Sequence, residues 1–380
     1  MKKSLLCLML LIVFKNFAQQ TPSRVITTAV PFLNIAADAR SSGMGDIGVA
    51  TAPDVYSQQW NPAKYVFAEE TSGIGISYTP YLSSIADNVA LLQANYYHQL
   101  NDRSAFSAGI RYFGFGEVPL RLSTDDPGRV VKPNEFTVEG SYSLKLSDQF
   151  SMAVGGKYIN SNLKIQEIDP DAQSAGTIAI DIAGYYQSKL LSHNSFNGRW
   201  RLGFNISNIG PKIKYDEGGQ KNFLPTNLKF GGGYDFIFDR DNTLAFNVEF
   251  NKLLVPTPKD FDGDGDIDAQ DNAAYADIGF FSGMFKSLGD APDGFSEELK
   301  EITWALGAEY TYQGTFSLRT GYFNESEDKG SRQFFTLGGG FRYKAAIIDL
   351  SYLFSTSSVN NPLEDSLRFS LSFNLGSKRR

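Results

Sequence analysis

The stretch Leu367-Arg-Phe-Ser-Leu-Ser-Phe-Asn-Leu375 decides how the rest of the sequence is interpreted, because apolar and polar residues alternate along its whole length. Successive side chains of a β-strand point to opposite faces. One face of this strand therefore carries Leu367, Phe369, Leu371, Phe373 and Leu375, and the other carries Arg368, Ser370, Ser372 and Asn374. A soluble sandwich and a membrane barrel both produce this pattern in a single strand, so the choice depends on the other segments.

Segments of the same kind recur from Ser72 to the end of the chain. Each is about ten residues long and is bounded by turn residues, as in the strands of outer-membrane barrels. We predict fourteen strands, near 72–79, 87–100, 104–116, 134–147, 149–165, 175–189, 197–210, 225–238, 242–255, 300–313, 315–325, 332–344, 345–356 and 365–375.

The lengths of the connections favour the membrane barrel. Connections after even-numbered strands are mostly short, such as 101–103, 239–241 and Gly314. Those after odd-numbered strands are long: 117–133, 166–174, 211–224, 256–299, 326–331 and 357–364. Outer-membrane barrels have short periplasmic turns, long external loops and an even strand number that leaves no open edge. The predicted fold class is all-β: a transmembrane outer-membrane β-barrel of about 14 antiparallel strands.

Composition and targeting agree with an exported barrel. Lys2 and Lys3, the apolar run 5–14 and Asn16-Phe17-Ala18 read as a signal peptide over residues 1–18. No later segment has 18 consecutive apolar residues, which argues against a helical membrane protein. Without the three lysines of that peptide the formal net charge changes from −7 to −10, which argues against nucleic acid as a partner. The only cysteine, Cys7, lies inside the peptide.

Inward positions of the predicted strands carry charges of both signs. They are Arg111, Glu139, Lys157, Asp181, Arg201, Glu249, Glu309, Arg319, Arg342 and Arg368. A selective channel more often presents a ring of one sign. We therefore expect structural ion pairs across the lumen.

The segment ahead of the first strand is rich in Gly, Ala and Asp and is predicted to bend at several glycines and prolines, Gly43 and Gly45 among them. By composition it resembles a linker. Ahead of the first strand of a wide barrel it is better explained as a hatch. The predicted domains are a signal peptide (1–18), an N-terminal periplasmic segment and hatch (19–71), and a barrel (72–380) with an extracellular calcium loop at 256–299.

Several stretches resemble the FadL family of outer-membrane barrels, whose Asn-Pro-Ala motif corresponds here to Asn61-Pro62-Ala63. The resemblance is closest to the PorV family of the Bacteroidetes type IX secretion system. It is carried by VPFLNIAADARSSGMGDIGVATAPD (30–54), SQQWNPAKY (57–65), SYTPYL (77–82), IRYFGFGEV (110–118) and IAIDIAGYYQ (178–187).

The resemblance implies a role without catalysis in the cell outer membrane. Its partners would be outer-membrane lipid, the translocon barrel SprA (Sov), secreted cargo with C-terminal secretion domains, and the attachment-complex proteins PorU and PorZ. From the residues themselves, His98 and His193 lie on separate segments and the mature chain has no cysteine, so a His–Cys site or Ser-His triad is not expected.

The stretch Asp260-Phe-Asp-Gly-Asp-Gly-Asp-Ile-Asp-Ala-Gln-Asp271 matches an EF-hand calcium loop. The predicted ligands are Asp260, Asp262, Asp264, Asp266, Asp268 and Asp271, with Asp266 acting through its backbone carbonyl and Gly265 at the sharp turn. Calcium is the only cofactor predicted. We expect calcium to fold this loop, with a helix over 271–286, into a surface for a partner.

Two other functions stay open at this point. A FadL-type transporter of fatty acids or other hydrophobic compounds would need an apolar pocket from an external loop to the hatch, with a lateral exit. The residues Phe113, Phe115, Leu120 and Leu122 would either line such a pocket or cover a partner. A plain porin is disfavoured by the hatch and the mixed lumen charges. The loop 118–133 and the calcium loop are the candidate contacts with partners.

Overall fold

The barrel wall is a closed sheet of antiparallel strands. The computed structural model describes residues 24–377 except 83–87, 122, 124, 127, 164–172, 217–218, 358–360 and 365. The strands in this part of the chain are β1 (Glu70–Pro80), β2 (Val89–Asn101), β3 (Ser104–Phe115), β4 (Val118–Leu120), β5 (Arg129–Val131), β6 (Asn134–Lys145), β7 (Phe150–Asn162), β8 (Ala175–Gln187), β9 (Leu191–Ser192), β10 (Asn197–Ile209), β11 (Asn227–Ile237), β12 (Asn242–Leu253), β13 (Ile302–Tyr312), β14 (Phe316–Asn324), β15 (Gln333–Tyr343), β16 (Ala346–Ser355) and β17 (Leu367–Ser377).

Fourteen of these described strands form the wall. Of the other three, β4 and β5 make a hairpin in an external loop, and the two-residue β9 extends the pairing of β10. The sheet closes because β17 pairs with β1, from Ser377 opposite Glu70 to Phe369 opposite Tyr78. The predicted barrel is therefore confirmed.

Burial along the strands follows the predicted alternation with the apolar side outward. On β1, Ile74, Ile76 and Tyr78 are 45–52% exposed, while Ser77 and Thr79 are buried. A soluble sandwich would bury the apolar set and expose the polar one. The wall is thus built to face lipid.

The two ends of the barrel differ in the lengths of their connections. At one end, residues 102–103, 313–315 and 344–345 are short turns, whereas residues 254–301 form the longest connection at the other end. Short turns face the periplasm in outer-membrane barrels, which makes the long-loop end extracellular.

The remaining regular structure among the described residues is helical and short. The N-terminal segment contains 3₁₀ turns at Pro31–Asn34 and Pro62–Phe67 and the helices α1 (Ala39–Ser42) and α2 (Ser57–Trp60). The loop 254–301 carries α3 (Ala269–Asp277), α4 (Phe280–Lys286) and α5 (Phe295–Lys300), where a helix over 271–286 was expected. No helix in the described ranges is long and apolar enough to cross a membrane.

The N-terminal segment runs through the inside of the barrel. Arg24 contacts the long loop 254–301 at the extracellular end. Phe67 meets Lys145 beside a short turn at the other end, with the ammonium 4.8 Å from the ring centre. The predicted periplasmic placement of residues 19–71 is therefore wrong for Arg24–Val30, since a wide lumen lets a segment ahead of β1 arrive from either end. The predicted signal peptide lies outside the described residues.

Candidate functional site

The N-terminal segment is held in shape by a buried aspartate. The Asp38 carboxylate caps α1 by accepting from the Ser41 backbone N–H at 2.8 Å, which satisfies one of the free donors at a helix start. Its second oxygen accepts from Trp60 Nε1 at 2.7 Å. Asp38 thus ties α1 to α2, although twenty-two residues separate it from Trp60.

Glycines allow the chain to approach its neighbours closely at two points. Gly45 has φ of +80°, a left-handed conformation that favours glycine, and it lies against the backbone of Tyr322 in β14. At Gly48 a Cβ atom would lie 2.1 Å from the Trp60 ring. These positions explain why the segment is rich in glycine.

The predicted motif Asn61-Pro62-Ala63 fastens the segment to the wall. Asn61 Oδ1 accepts from the Ala63 N–H at 3.1 Å, which starts the 3₁₀ turn. Asn61 Nδ2 donates to Val49 O within the segment and to Gly184 O of β8 (2.9 Å each). The two carbonyls that follow accept from the wall: Ser143 Oγ donates to Pro62 O (2.7 Å) and Ser151 Oγ donates to Ala63 O (2.6 Å). The motif therefore joins the segment to β6, β7 and β8.

A buried ion network fixes the segment to the opposite wall. Arg40 binds Glu309 of β13 at two points, 3.0 and 2.9 Å, and Asp54 of its own segment at 2.7 Å. Arg319 of β14 also contacts Glu309 at 2.5 Å and Asp349 of β16 at 2.7 Å. The charges in this network alternate in sign, as expected for structural pairing.

Two further predicted charges bind the backbone or side chains of the segment. Glu249 is fully buried and accepts from the N–H groups of Gly48 and Val49 at 2.8 Å each. Arg368 donates to Asp46 at 2.9 Å. These carboxylate and guanidinium groups act as anchors for the segment.

Other predicted charges pair within the wall. Lys157 lies 3.6 Å from Glu139 and 2.8 Å from Asp181, and Arg201 pairs with Asp235 of β11 at 2.5 Å. Arg342 is different: its parity is inward, but it lies at the periplasmic rim, where it is exposed and contacts Glu70 at 3.2 Å. Strand parity alone does not specify how far along the barrel a residue lies.

A cluster of apolar side chains occupies part of the extracellular half of the lumen. Phe32 and Leu33 of the segment are buried there against the wall. Phe113 stacks on Phe32 with ring centres 6.2 Å apart and also contacts Phe115 and Tyr81. Phe113 thus faces the protein's own segment. Leu120 is also buried, and Leu122 lies outside the described residues.

The acidic loop brings four of its six predicted ligands together. Carboxylate oxygens of Asp260, Asp262, Asp264 and Asp271 all lie within 4.8 Å of one another. Gly265 has φ of +100°, which permits the sharp turn that directs them inward. Oxygen ligands in this number suit a hard divalent cation, so the residues fit calcium.

The other two predicted ligands occupy different positions. Asp268 caps α3, accepting from the Gln270 N–H at 2.7 Å, and the Asp271 carboxylate returns to the Asp268 N–H at 3.0 Å. The Asp266 side chain does not belong to the four-carboxylate group. This arrangement leaves Asp266 only the predicted contribution of its backbone carbonyl.

Sequence reasoning missed the extracellular anchor of the N-terminal segment. Arg24 binds Asp293 and Glu297 at 2.9 Å each, and Lys329 donates to the Arg24 carbonyl at 3.3 Å and to Glu297 at 2.7 Å. Burial alone would raise the pKa of Glu297, but the Lys329 ammonium, the Asp293 N–H and Arg24 hold this pKa below its ordinary value. No sequence pattern marks residues so distant as partners.

Comparison with known proteins identifies the family and the fold type. A family model described as type IX secretion system protein PorV matches residues 17–260. No curated protein matches the chain in a sequence search.

Among solved structures, the CymD monoaromatic hydrocarbon channel has a TM-score of 0.51 and 13% identity, covering 91% of this chain and 99% of that one. The P. putida toluene transporter TodX has a TM-score of 0.50 and 12% identity, covering 90% and 99%. A Pseudomonas aeruginosa FadL homologue has a TM-score of 0.43 and 12% identity, covering 93% and 99%. At such identities the first two establish the fold alone, a β-barrel of the type found in these outer-membrane channels.

Proposed function

This chain belongs to the PorV family of type IX secretion system proteins, and from that premise we propose that it is a non-catalytic partner barrel of that system. It resides in the outer membrane, and its family and fold are those of non-enzymatic transport and secretion proteins. In our proposal it binds the translocon barrel SprA (Sov) and accepts cargo with C-terminal secretion domains. It then passes that cargo to the attachment-complex proteins PorU and PorZ.

The observation that carries this proposal is the occupied lumen. Phe32 and Leu33 fill the apolar part, and Arg40 is locked to Glu309 below it. A transporter of fatty acids or other hydrophobic compounds needs that apolar space for its substrate. The cavity of about 420 Å³ that remains between Val25–Thr28 and Trp60 is lined in part by charged residues such as Lys229 and Arg332. A barrel whose apolar lumen is taken up by its own segment is better suited to working through its outer surface.

The strand pairing between β1, β2 and β3 also argues against a transporter. The β1–β2 pairing runs without interruption from Ser72 opposite His98 to Pro80 opposite Ala90. In β2–β3 the register shifts only between Gln99 and Asn101, at the periplasmic end. The lateral exit that a transporter requires is therefore closed in this region.

The extracellular loop 254–301 supplies a surface for a protein partner. On α4 and α5, Phe281, Phe285 and Phe295 are between 57% and 76% exposed. Phe281 and Phe285 lie one helical turn apart on α4, so they form an exposed apolar patch of the kind that favours an interaction site. The β4–β5 hairpin, with Val130 exposed, is the second candidate surface.

We propose that calcium stabilises this surface. The ion would be held by the side chains of Asp260, Asp262, Asp264 and Asp271 at the start of α3, and its charge would offset the repulsion of the acidic loop. Folding of the loop would then position α4. A dissociation constant on the order of 10⁻⁴ to 10⁻³ M suffices outside the cell.

The test is affinity purification from outer membranes. Wild-type protein should recover the translocon barrel and secreted cargo. The double substitution Phe281→Ser and Phe285→Ser should reduce recovery if α4 is the contact, and Val130→Ser tests the hairpin in the same way. Loss of fatty-acid uptake on gene deletion, with secretion intact, would instead establish the transporter alternative.

A further inference from the structure

The barrel closes at a single seam, where its last strand pairs with its first. Among the described wall strands, every other pairing joins two strands that follow one another along the chain, whereas β1 and β17 lie at the two ends of the barrel sequence. Bringing distant segments together costs more loop-closure entropy than forming a hairpin. The seam therefore forms without the help of a local turn.

The short side chains of the seam define its register poorly. The inward-facing pairs are Gly73 with Asn374, Gly75 with Ser372 and Ser77 with Ser370. A slip of two residues keeps every side chain on its original face, so the outward apolar set does not prevent it. Strands with few matched side chains are prone to such slips. The register therefore depends on contacts outside the pairing itself.

Tyr56 of the N-terminal segment bridges the two strands. Its hydroxyl donates to Ile76 O of β1 at 2.7 Å and to Leu371 O of β17 at 3.0 Å. Ile76 and Leu371 lie directly opposite each other in the pairing, so one hydroxyl proton is shared across the seam. Gly75 makes this approach possible, because a Cβ atom there would lie 2.9 Å from the Tyr56 ring.

The stretch at the start of α1 is also bonded to both strands. Thr79 Oγ1 of β1 donates to Ala37 O at 3.0 Å. The Ala39 N–H donates to Ser370 Oγ of β17 at 2.8 Å. Thr79 and Ser370 are fully buried. Two residues that lie only two positions apart in the segment therefore hold both strands of the seam.

Arg368 of β17 makes the contact that depends on register. Its side chain is 1% exposed and donates to Asp46 of the segment at 2.9 Å and to Ser42 Oγ. A slip of two residues would move the guanidinium by about 6.6 Å along the strand and break the ion pair. A buried charge that loses its partner is strongly destabilising. The inward positions on either side of Arg368 are serines, so a slipped strand offers no other cation to Asp46.

We propose that these contacts make the N-terminal segment a clasp that closes the barrel in a single register. Tyr56 clamps the first strand to the last, and the Arg368–Asp46 pair selects the register in which they meet. The segment thus supplies, from inside the lumen, the information that a hairpin turn supplies at other pairings of the wall. This role concerns the barrel itself and does not rest on the translocon, the cargo or any other partner.

The clamp is tested by hydrogen exchange on the full-length protein in detergent. Tyr56→Phe removes the shared hydroxyl and should speed exchange in residues 70–80 and 367–377 about five- to tenfold, with residues 242–253 of β12 unchanged. The matched control is Tyr275→Phe, which removes a hydroxyl that donates to Pro256 O at 2.9 Å in the loop 254–301. It should leave exchange at the seam unchanged. Exchange that rises equally in all three strands, or does not rise at the seam, overturns the clamp.

The register is tested with cysteine pairs on the outward face of the seam, in a Cys7→Ser background that leaves no other cysteine. Ile74→Cys with Phe373→Cys places the two thiols directly opposite each other, so oxidation should join them in the native register. Combining Ile74→Cys with Leu371→Cys or with Leu375→Cys reports a slip of two residues in either direction. These slipped pairs should give little disulfide in the otherwise unchanged protein.

Arg368→Ser makes the inward face of β17 nearly uniform and should raise the yield of a slipped disulfide more than about tenfold. The matched control is Arg201→Ser on β10, which breaks the buried pair with Asp235 away from the seam and should give the native disulfide alone. A native disulfide alone in Arg368→Ser overturns the register selection. Slipped disulfides in both arginine variants also overturn it, because the effect would then follow from any lost buried charge. Either result leaves the proposed function standing.

Discussion

Arg40 of the N-terminal segment and Glu309 of β13, 269 residues apart in sequence, form a two-point ion pair inside the barrel at 3.0 and 2.9 Å. This ion pair attaches the N-terminal segment to the barrel wall. Removing one partner of a buried pair leaves the other charge uncompensated. Substituting one residue of this pair therefore tests directly whether it holds the segment in place.

Glu309→Gln should lower the free energy of unfolding by about 3 kcal/mol, because Arg40 and Arg319 both lose a charged partner. Denaturant unfolding in detergent measures the loss. The control is Lys132→Gln, which breaks the exposed pair with Glu117 at 2.7 Å and should leave stability unchanged. Equal stability of the two variants would show that the Arg40 pair does not hold the segment.

Gly48→Ala should destabilise the protein by about 1–3 kcal/mol through overpacking, because the new methyl group overlaps the Trp60 ring. The matched control is Gly156→Ala on β7, where nothing lies within 4 Å of the added Cβ. Thermal unfolding and Trp fluorescence compare the two. If Gly48→Ala and Gly156→Ala had the same melting temperature, the Trp60 ring would be able to move away from the added methyl group.

Deleting residues 36–63 should make the outer membrane permeable to small solutes, because these residues occupy the lumen. Swelling of proteoliposomes and antibiotic sensitivity of cells measure the change. Deletion of residues 118–131, which lie in an external loop, serves as the control. Unchanged permeability after the first deletion would mean that the segment does not seal the barrel.

Calcium should bind the wild-type protein in calorimetry, and Asp264→Ala should abolish that binding because it removes one of four clustered carboxylates. Asp277→Ala, in the same loop but outside the cluster, should bind normally. Because the cluster is part of loop 254–301, chelation should also increase proteolysis of the loop. Calcium binding that persists in Asp264→Ala would contradict the site.

Acidification should loosen residues 24–28, which Arg24 anchors to Asp293 and Glu297 of the loop 254–301. The pKa of Glu297 is lower in the folded protein than its ordinary value of 4.5, so its interactions with Arg24 and Lys329 stabilise the fold at neutral pH. That contribution is lost as the pH falls below 4.5 through the folded value. A spin label attached at neutral pH to a cysteine at Thr27 should therefore become more mobile as the pH falls below 4.5. In Glu297→Gln the label should already be mobile at pH 7, and its mobility should change much less with pH.

The barrel could be predicted from local patterns in the sequence. The alternation of apolar and polar residues in Leu367–Leu375, and in the other predicted strands, indicates which face of each strand points outward. The lengths of the connections distinguish the periplasmic end of the barrel from the extracellular end. Both are local properties, since a residue's face depends only on its parity within one strand. The approach of acidic side chains in the loop 260–271 could also be predicted from the sequence, because the predicted ligands lie within twelve residues. The N-terminal segment was recognisable by its Asn61-Pro62-Ala63 motif.

The path and the attachments of that segment depend on long-range contacts that no sequence pattern indicates. Its entry at the extracellular end depends on contacts of Arg24 with Asp293 and Glu297, and its anchoring depends on pairs such as Arg40 with Glu309. Arg342 has the strand parity of an inward-facing residue but lies exposed at the periplasmic rim. Such contacts join residues hundreds of positions apart, and no local pattern encodes them. They form because charges and backbone groups buried in a closed lumen must find partners wherever the barrel brings them together.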